Sequence, residues 1–208
     1  MTSFPSRQFK FHVCKPSTVN TNKFVVKKYE EKGPGRGFYF VNYEDDTTLF
    51  VLQCPWMRTR SGIKSYSYSD RATPKFSLAL FINDEVEKAI NEIEGYFVKD
   101  YNKVDEKIEL DSCIKQAKDD KKPKIIIVKL PMADETKFNV QYTESDNRGL
   151  QKSANKVDSI YLKNKITDNT LVRVQMRLNP ISQNQDKIRI SWRLHRLDVM
   201  DEMTPVVD

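Results

Sequence analysis

The segment from Cys54 to Lys75, CPWMRTRSGIKSYSYSDRATPK, combines positive charge with aromatic rings. A single acid, Asp70, accompanies three rings, which are Trp56, Tyr66 and Tyr68. The cations of the segment are Arg58, Arg60, Lys64, Arg71 and Lys75. Cations can follow a phosphate backbone, and flat rings separated by small polar residues can stack on unpaired bases. The segment therefore indicates binding of a single-stranded nucleic acid. The alternative is a solvated basic loop whose tryptophan packs on the core.

Two strand-like runs near the C-terminus carry a second set of cations. In Leu171–Leu178 and Lys187–Leu197, apolar and polar residues alternate with the period of two that is typical of a half-buried strand. The outward positions hold four arginines, which are Arg173, Arg177, Arg189 and Arg193. The short link between the runs, residues 179–186, predicts a hairpin with all four on one face. Like charges on neighbouring strands are costly, which favours a polyanionic ligand. Acidic side chains from elsewhere in the chain are the alternative partners.

Strand patterns surround the basic segment and must position it. The apolar runs Leu49–Gln53 and Phe76–Ile82 lie on its two sides, so we expect a long connection anchored on a sheet at both ends. The alternating run Phe38–Glu44 contributes Tyr39 as a further ring for base stacking. Further strands are predicted at Lys23–Glu31, Lys124–Leu130 and Lys137–Thr143.

A helical pattern interrupts these strands. From Asp84 to Tyr101, apolar residues recur every three or four positions, which predicts an amphipathic helix capped by Asn83 or Asp84. A weaker helical pattern follows from Val104 to Ala117. We expect a β-rich α+β fold, an OB-fold-like antiparallel barrel with one or two inserted helices, because closure removes exposed strand edges. The predicted domain covers residues 23–200, between an N-terminal arm at 1–22 and a short acidic tail at 201–208.

The sequence carries no motif for catalysis, a metal or a cofactor. The three cysteines are far apart and form no zinc or disulfide pattern. His12 and His195 stand at opposite ends of the chain, each within a strand-like alternation, where a structural role is more common than a catalytic one. The acids of Glu44–Asp46 are typical of a solvated turn. We expect a protein that is not an enzyme and that uses no cofactor or metal.

Composition indicates an ordered, basic protein. Its 208 residues are 38% hydrophobic and 11% aromatic, with a formal net charge of +6, which favours polyanionic partners. No apolar run is long enough to cross a bilayer, and the N-terminus lacks the apolar core of a signal peptide. We expect no membrane association and a soluble protein in a reducing intracellular compartment. That compartment would be the host cytoplasm or nucleus, or a viral replication site if the chain is viral.

Three parts of the sequence resemble a known group of proteins. They are CPWMRTRSGIKSY followed by KFSLALFI, the helix Asp84–Tyr101, and the terminal VRVQMRL with KIRISWRLHRLDV. Together they resemble the OB-fold single-stranded DNA-binding proteins of large eukaryotic DNA viruses and short-tailed phages. The resemblance implies sequence-independent binding of single strands, without a cofactor, through Trp56, Arg58, Arg60, Lys64, Tyr66 and Tyr68. The short, mildly acidic tail of this chain departs from the long acidic tail of the phage proteins.

We therefore expect a non-catalytic single-stranded DNA-binding protein of viral DNA replication or recombination. Its stacking rings would be Trp56, Tyr66 and Tyr68, with Tyr39 as a further candidate. Its phosphate contacts would come from the basic segment, including Arg71 and Lys75, and from the four terminal arginines. Replication proteins are expected as partners, and a homo-oligomer is left open. The alternatives are a structural or virion protein that binds acidic partners through its basic faces, and an RNA-binding protein.

Overall fold

The computed structural model describes residues 9–33, 36–67, 73–101, 109–116, 123–145 and 151–200. Within these ranges the chain forms a β-rich α+β structure with two α-helices, α1 (Asp84–Tyr101) and α2 (Ser159–Lys165). The strands are β1 (Lys10–Cys14), β2 (Phe24–Gly33), β3 (Arg36–Tyr43), β4 (Thr48–Arg58), β5 (Lys64–Tyr66), β6 (Lys75–Phe81), β7 (Glu109–Asp111), β8 (Ile114–Lys115), β9 (Ile125–Leu130), β10 (Lys137–Phe138), β11 (Gln141–Ser145), β12 (Gln151–Ala154), β13 (Val157–Asp158), β14 (Leu171–Leu178), β15 (Ile181–Asn184), β16 (Lys187–Arg189) and β17 (Trp192–Met200).

The larger sheet contains ten strands in the order β1-β4-β14-β17-β9-β6-β5, with β8 beside β9 and with β11 and β12 beside β17. This sheet contains both parallel and antiparallel pairs, so the prediction of a purely antiparallel sheet is wrong. Strand β14 runs antiparallel to β4 and β17, whereas β1 with β4, β9 with β17 and β11 with β17 are parallel. Parallel partners need a long connection, and each of these pairs joins strands that are distant in sequence. Among the described residues this sheet is not closed. A single antiparallel bridge, from Thr59 to Leu80, links the end of β4 to β6.

The smaller sheet has five strands in the order β2-β3-β15-β16-β7. Strands β2 and β3 pair antiparallel up to Gly33 and Arg36. The predicted single strand Lys187–Leu197 is wrong, because the chain divides there into β16 and β17. Strand β16 pairs with β15 in the smaller sheet, and β17 pairs with β14 in the larger one. Both halves bury apolar side chains, but they do so in different sheets.

An aromatic cluster joins the two sheets to α1. The helix buries Val86, Ile90, Ile93 and Phe97 on one face, as its spacing predicts, and Asn83 caps it by accepting a hydrogen bond from the Val86 N–H at 3.0 Å. The ring of Phe24 on β2 lies 5.1 Å from that of Phe97 and 5.0 Å from that of Phe50 on β4. We call Phe24, Tyr43, Phe50 and Phe97 the aromatic cluster. It fixes the smaller sheet against the larger one.

The weaker helical pattern from Val104 to Ala117 is wrong where the structure describes it, since residues 109–116 contain the short strands β7 and β8. The carboxylate of Glu94, only 3% exposed on α1, accepts hydrogen bonds from the Ser112 hydroxyl and the Cys113 N–H, both at 2.8 Å. These bonds hold the segment extended against α1. The second helix is instead α2, capped by Asp158. No helix within the described ranges is long and apolar enough to span a membrane.

Candidate nucleic-acid interface

A row of cations crosses the outer face of the larger sheet at right angles to its strands. Arg177 on β14 lies opposite Arg193 on β17, and Arg193 lies opposite Lys129 on β9. Lys129 lies opposite Ser77 on β6, and Ser77 lies opposite Lys64 on β5. Directly opposed residues share one face of a sheet, so the row spans four strand spacings, or about 19 Å. We call Arg177, Arg193, Lys129 and Lys64 the cation row.

The cation row has no carboxylate partner within the part of the chain that the structure describes. Partial desolvation lowers the pKa of Arg193, and desolvation with the neighbouring Arg193 lowers that of Arg177. Desolvation and the charges of Lys75 and Arg189 lower the pKa of Lys129, whose ammonium donates to the Ser191 hydroxyl at 3.2 Å. Opposed like charges destabilise a sheet. Repulsion within the cation row therefore destabilises the free protein, and a bound anion would reduce this repulsion.

Aromatic rings stand beside the row in what we call the central groove. This groove has a volume of about 560 Å³, and Lys129 and Arg193 line it. Tyr66 on β5 lies opposite Lys75 on β6, two residues from Lys64 and Ser77, so both side chains share the face of the row. Phe38, which is 40% exposed on β3 of the smaller sheet, lines the other wall. The groove thus combines two lysines and an arginine with the exposed ring of Phe38 and the half-buried ring of Tyr66.

The turn before β5 is held by a close backbone contact. A Cβ at Gly62 would come within 2.8 Å of the Ile166 carbonyl oxygen, so only glycine fits there without a shift of the backbone. The Gly62 N–H donates to the Asp168 carboxylate at 3.1 Å. This contact fixes the start of the strand that carries Lys64 and Tyr66.

A second cavity, which we call the inner recess, continues from the central groove at Pro131 and Arg193. Its volume is about 400 Å³. Its polar lining is Asn139, Gln141, Asn155, Arg177, Arg193 and His195. Phe11 of β1 completes the wall and stacks on His195 with 4.4 Å between ring centroids. No carboxylate lines the recess among the described residues, so its character is cationic and hydrogen-bonding.

Trp56 is not a core residue, so the alternative in which it packs in the core is wrong. Its ring is 37% exposed on β4, and the guanidinium carbon of Arg173 lies 5.2 Å from the ring centroid. The buried tryptophan is Trp192. Trp56 lies opposite Arg173, which is four residues from Arg177 along β14, so it shares the face of the cation row at a distance of about 14 Å.

The other residues of the basic segment are divided between two places. Arg58 donates to the Asn169 carbonyl oxygen at 2.8 Å, and Arg60 is exposed just beyond β4, so both lie near Trp56. Tyr66 and Lys75 line the central groove, and Lys64 lies two residues before Tyr66 on the same face of β5. Tyr68 and Arg71 fall outside the described residues. The segment is anchored on the larger sheet at both ends, as the sequence predicts, but its first residues belong to β4 and its middle forms β5.

The four terminal arginines do not share one face, which corrects the sequence prediction. Arg173 lies opposite Asp198 and donates to its carboxylate at 3.0 Å. Arg189 lies in the smaller sheet and donates to Asp111 at 2.6 Å. Acidic partners from elsewhere in the chain thus satisfy two of the four, while Arg177 and Arg193 face each other. The change of sheet between β16 and β17 is what places Arg189 in the smaller sheet, away from the other three.

Three residues of the interface were not predicted. Lys129 occupies an outward position of a strand that the sequence does predict, but only the register with β17 brings it beside Arg193. Phe38 was placed on the strand of Tyr39, yet Tyr39 is half-buried and donates its hydroxyl to Gln183 at 2.9 Å, while Phe38 lines the groove. Phe11 belongs to the stretch predicted as an N-terminal arm. Alternation of Phe9, Phe11 and Val13 was the available signal for an exposed ring.

Other depressions of the surface have a different chemistry. One of about 880 Å³ follows the polar face of α1, where Asp84, Glu87 and Glu92 line it together with Lys88 and Lys99. The three acids outnumber the two lysines, which disfavours a phosphate ligand. Within the described residues, no group of three or more histidine, cysteine or acidic side chains could hold a metal ion.

The chain matches no protein-family model and no curated protein sequence. Among solved structures it is similar to the single-stranded DNA-binding protein from bacteriophage Enc34 in complex with ssDNA. The identity is 14%, the TM-score is 0.47, and the match covers 86% of this chain and 97% of that chain. At this identity and this score, the similarity identifies neither a ligand nor contact residues for the present chain.

Proposed function

We propose that the protein binds single-stranded DNA without sequence preference and without catalysis, as a component of DNA replication or recombination. One observation carries the proposal: the cation row lacks carboxylate partners among the described residues, and two of its members, Lys129 and Arg193, line one groove with the rings of Tyr66 and Phe38. Backbone phosphates would neutralise the row, and bases would stack on Tyr66 and Phe38. Trp56, Arg58 and Arg60 would extend the path along the same face of the sheet.

Single strands fit this surface better than duplex DNA does. Stacking on Tyr66 and Phe38 requires unpaired bases, because the faces of paired bases are covered within the duplex. An acidic protein partner would satisfy the cations but would leave the rings without a flat ligand. RNA offers the same phosphates and base faces, so the comparison of DNA with RNA belongs in the test.

We also propose that β4, β14, β17, β9 and β6 form a barrel of the OB type. The bridge from Thr59 to Leu80 and the hydrogen bond from the Arg60 N–H to the Ala79 carbonyl oxygen at 2.9 Å support this, because they return the end of β4 to β6. A five-stranded barrel of this type binds oligonucleotides on an outer strand face.

The proposal is tested by titrating the protein with fluorescent oligo-dT, a DNA duplex and an RNA of equal length at several salt concentrations. We expect tight binding of oligo-dT and weak binding of the duplex. If the cation row contacts four phosphates, the logarithm of the association constant should fall with the logarithm of salt concentration with a slope of about −2.8 or steeper, at about −0.7 per contact. Absence of oligo-dT binding at low salt would refute the proposal, and equal or tighter binding of RNA would redirect it to RNA.

A separate prediction concerns Trp56. We expect Trp56→Ala to leave the free energy of unfolding within about 1 kcal/mol, because the ring is exposed and Arg173 keeps its bond to Asp198. It should weaken binding of an oligo-dT of about 16 nucleotides by about 5- to 150-fold, since a stacking ring contributes about 1–3 kcal/mol per base. The matched contrast is Trp192→Ala, which removes a fully buried ring and should cost about 3–5 kcal/mol of stability. Thermal melting beside binding anisotropy separates the two effects. Unchanged affinity of Trp56→Ala would remove Trp56 from the interface.

A further inference from the structure

The inner recess brings three nitrogen-rich side chains together around a space without carboxylates. Arg177 and Arg193 line it from neighbouring strands, and His195 lies two residues beyond Arg193 on β17. Among the described residues, neither guanidinium has an acidic partner. The side-chain amides of Asn139, Gln141 and Asn155 also line the space. The NH₂ group of each of these amides can donate hydrogen bonds to an anionic oxygen.

The charged groups around His195 are either cations or a carboxylate that is already paired with arginines. Arg177 faces it from β14, and Arg193 and Arg196 are its neighbours on β17. Asp198 binds Arg196 through Nε at 2.8 Å and also binds Arg173. The recess residues Phe11 on β1, Asn139 before β11, Gln141 on β11 and Asn155 after β12 are neutral. Desolvation, followed by the charges of Arg177 and Arg196, lowers the pKa of His195 below its ordinary value of 6.5.

We propose that the inner recess binds one backbone phosphate of the DNA strand, and that His195 becomes the third cation of this site by taking up a proton when the phosphate enters. The inference rests on the proposed function and specifies one subsite of it. Arg177 and Arg193 supply the fixed charge, and the amides supply neutral donors. Phe11, stacked on the imidazole, positions the ring at the wall of the recess.

Proton uptake gives the affinity a defined pH dependence. A bound phosphate raises the pKa of His195 relative to its value in the free protein, because the negative charge stabilises the imidazolium. Affinity is therefore lowest when the pH lies above the bound-state pKa, rises as the pH falls from the bound-state pKa to the free-state pKa, and is constant below the free-state pKa. One additional cation should strengthen binding about 5-fold at about 0.1 M salt and steepen the salt slope by about 0.7.

The experiment uses oligo-dT without a terminal phosphate, because neither thymine nor a phosphodiester titrates between about pH 5 and pH 8, the range of histidine. Binding anisotropy is measured across this range at constant ionic strength for wild type, His195→Gln and His12→Gln. His12 is the matched control, since it is the other histidine of the chain and contacts Glu44 at 3.0 Å, away from the recess. Wild type and His12→Gln should bind about 5-fold tighter at the acidic end. His195→Gln should bind with nearly constant affinity.

A second measurement uses the unaltered protein, so that it does not depend on how the variants fold. The imidazole NMR signals of His195 are titrated with pH, with and without oligo-dT, and the midpoint should rise when the oligonucleotide is bound. An unchanged midpoint, or a pH dependence that persists in His195→Gln, overturns the assignment of the recess. In that case pH-independent binding of oligo-dT would leave the proposed function intact. Absence of oligo-dT binding at every pH would overturn both.

Discussion

Replacing Arg177 and Arg193 together by glutamine should weaken oligo-dT binding about 25-fold at about 0.1 M salt, because each phosphate contact contributes about 5-fold under these conditions. The salt slope should become shallower by about 1.4, which is the contribution of two contacts. Both arginines line the inner recess, and Arg193 also lines the central groove, so this pair reaches the centre of the interface.

The same double substitution should stabilise the free protein. Arg177 and Arg193 are directly opposed on neighbouring strands, and desolvation lowers the pKa of both. Removing an opposed pair of like charges should raise the free energy of unfolding by about 0.2–1 kcal/mol. Affinity and thermal stability would then change in opposite directions, which a variant that merely damages the fold cannot produce.

Oligo-dT anisotropy at several salt concentrations and thermal melting without DNA measure the two effects. The matched control is Lys88→Gln with Lys99→Gln, which removes two exposed cations from α1 and gives the same net charge. This control should change affinity less than 2-fold if long-range charge contributes little at moderate salt. Equal losses in the control and in the arginine pair would show that net charge, rather than the cation row, governs binding.

Removing the two rings of the central groove should have an effect of at least similar size. Tyr66→Ala and Phe38→Ala should each weaken oligo-dT binding about 5- to 150-fold, since one stacked ring contributes about 1–3 kcal/mol. If the rings act on separate bases, the double variant should lose at least about 25-fold. The salt slope should stay the same, because no phosphate contact is removed.

Phe40→Ala is the matched control for the rings. Phe40 lies two residues from Phe38 on the same face of β3 and is 42% exposed against 40%, but it does not line the groove. We expect less than a 2-fold change for Phe40→Ala, and we expect Tyr66→Phe to keep most of the affinity because the ring remains. A loss at Phe40 as large as that at Phe38 would move the binding path onto the open face of the smaller sheet.

Local patterns in the sequence predicted much of the fold. The apolar spacing of α1, its cap at Asn83 and the inward faces of β14 and β17 are all confirmed. These features depend on residues close together in the chain. The change of sheet between β16 and β17 was not predictable, because Ile188, Ile190 and Trp192 keep the alternation of a single strand and are all buried in one core.

The site was predictable only in its residue types. Cations and rings at Lys64, Tyr66, Arg177 and Arg193 are visible in the sequence, but their assembly depends on which strands pair and in what register. Lys129 joins the cation row only because β9 pairs with β17. Arg173 is paired with Asp198, and Arg189 lies in the smaller sheet, where it is paired with Asp111. Long-range pairing of this kind has no local signature.

The aromatic cluster controls the width of the central groove. Tyr66 stands on the larger sheet and Phe38 on the smaller one, so the gap between the two rings depends on how the sheets are packed. That packing depends on Phe24, whose ring contacts Tyr43, Phe50 and Phe97. Phe24→Leu removes volume between the two sheets and would therefore change how they pack against each other. The substitution would change the distance between the rings of Tyr66 and Phe38 from within the core, without altering any residue of the binding surface.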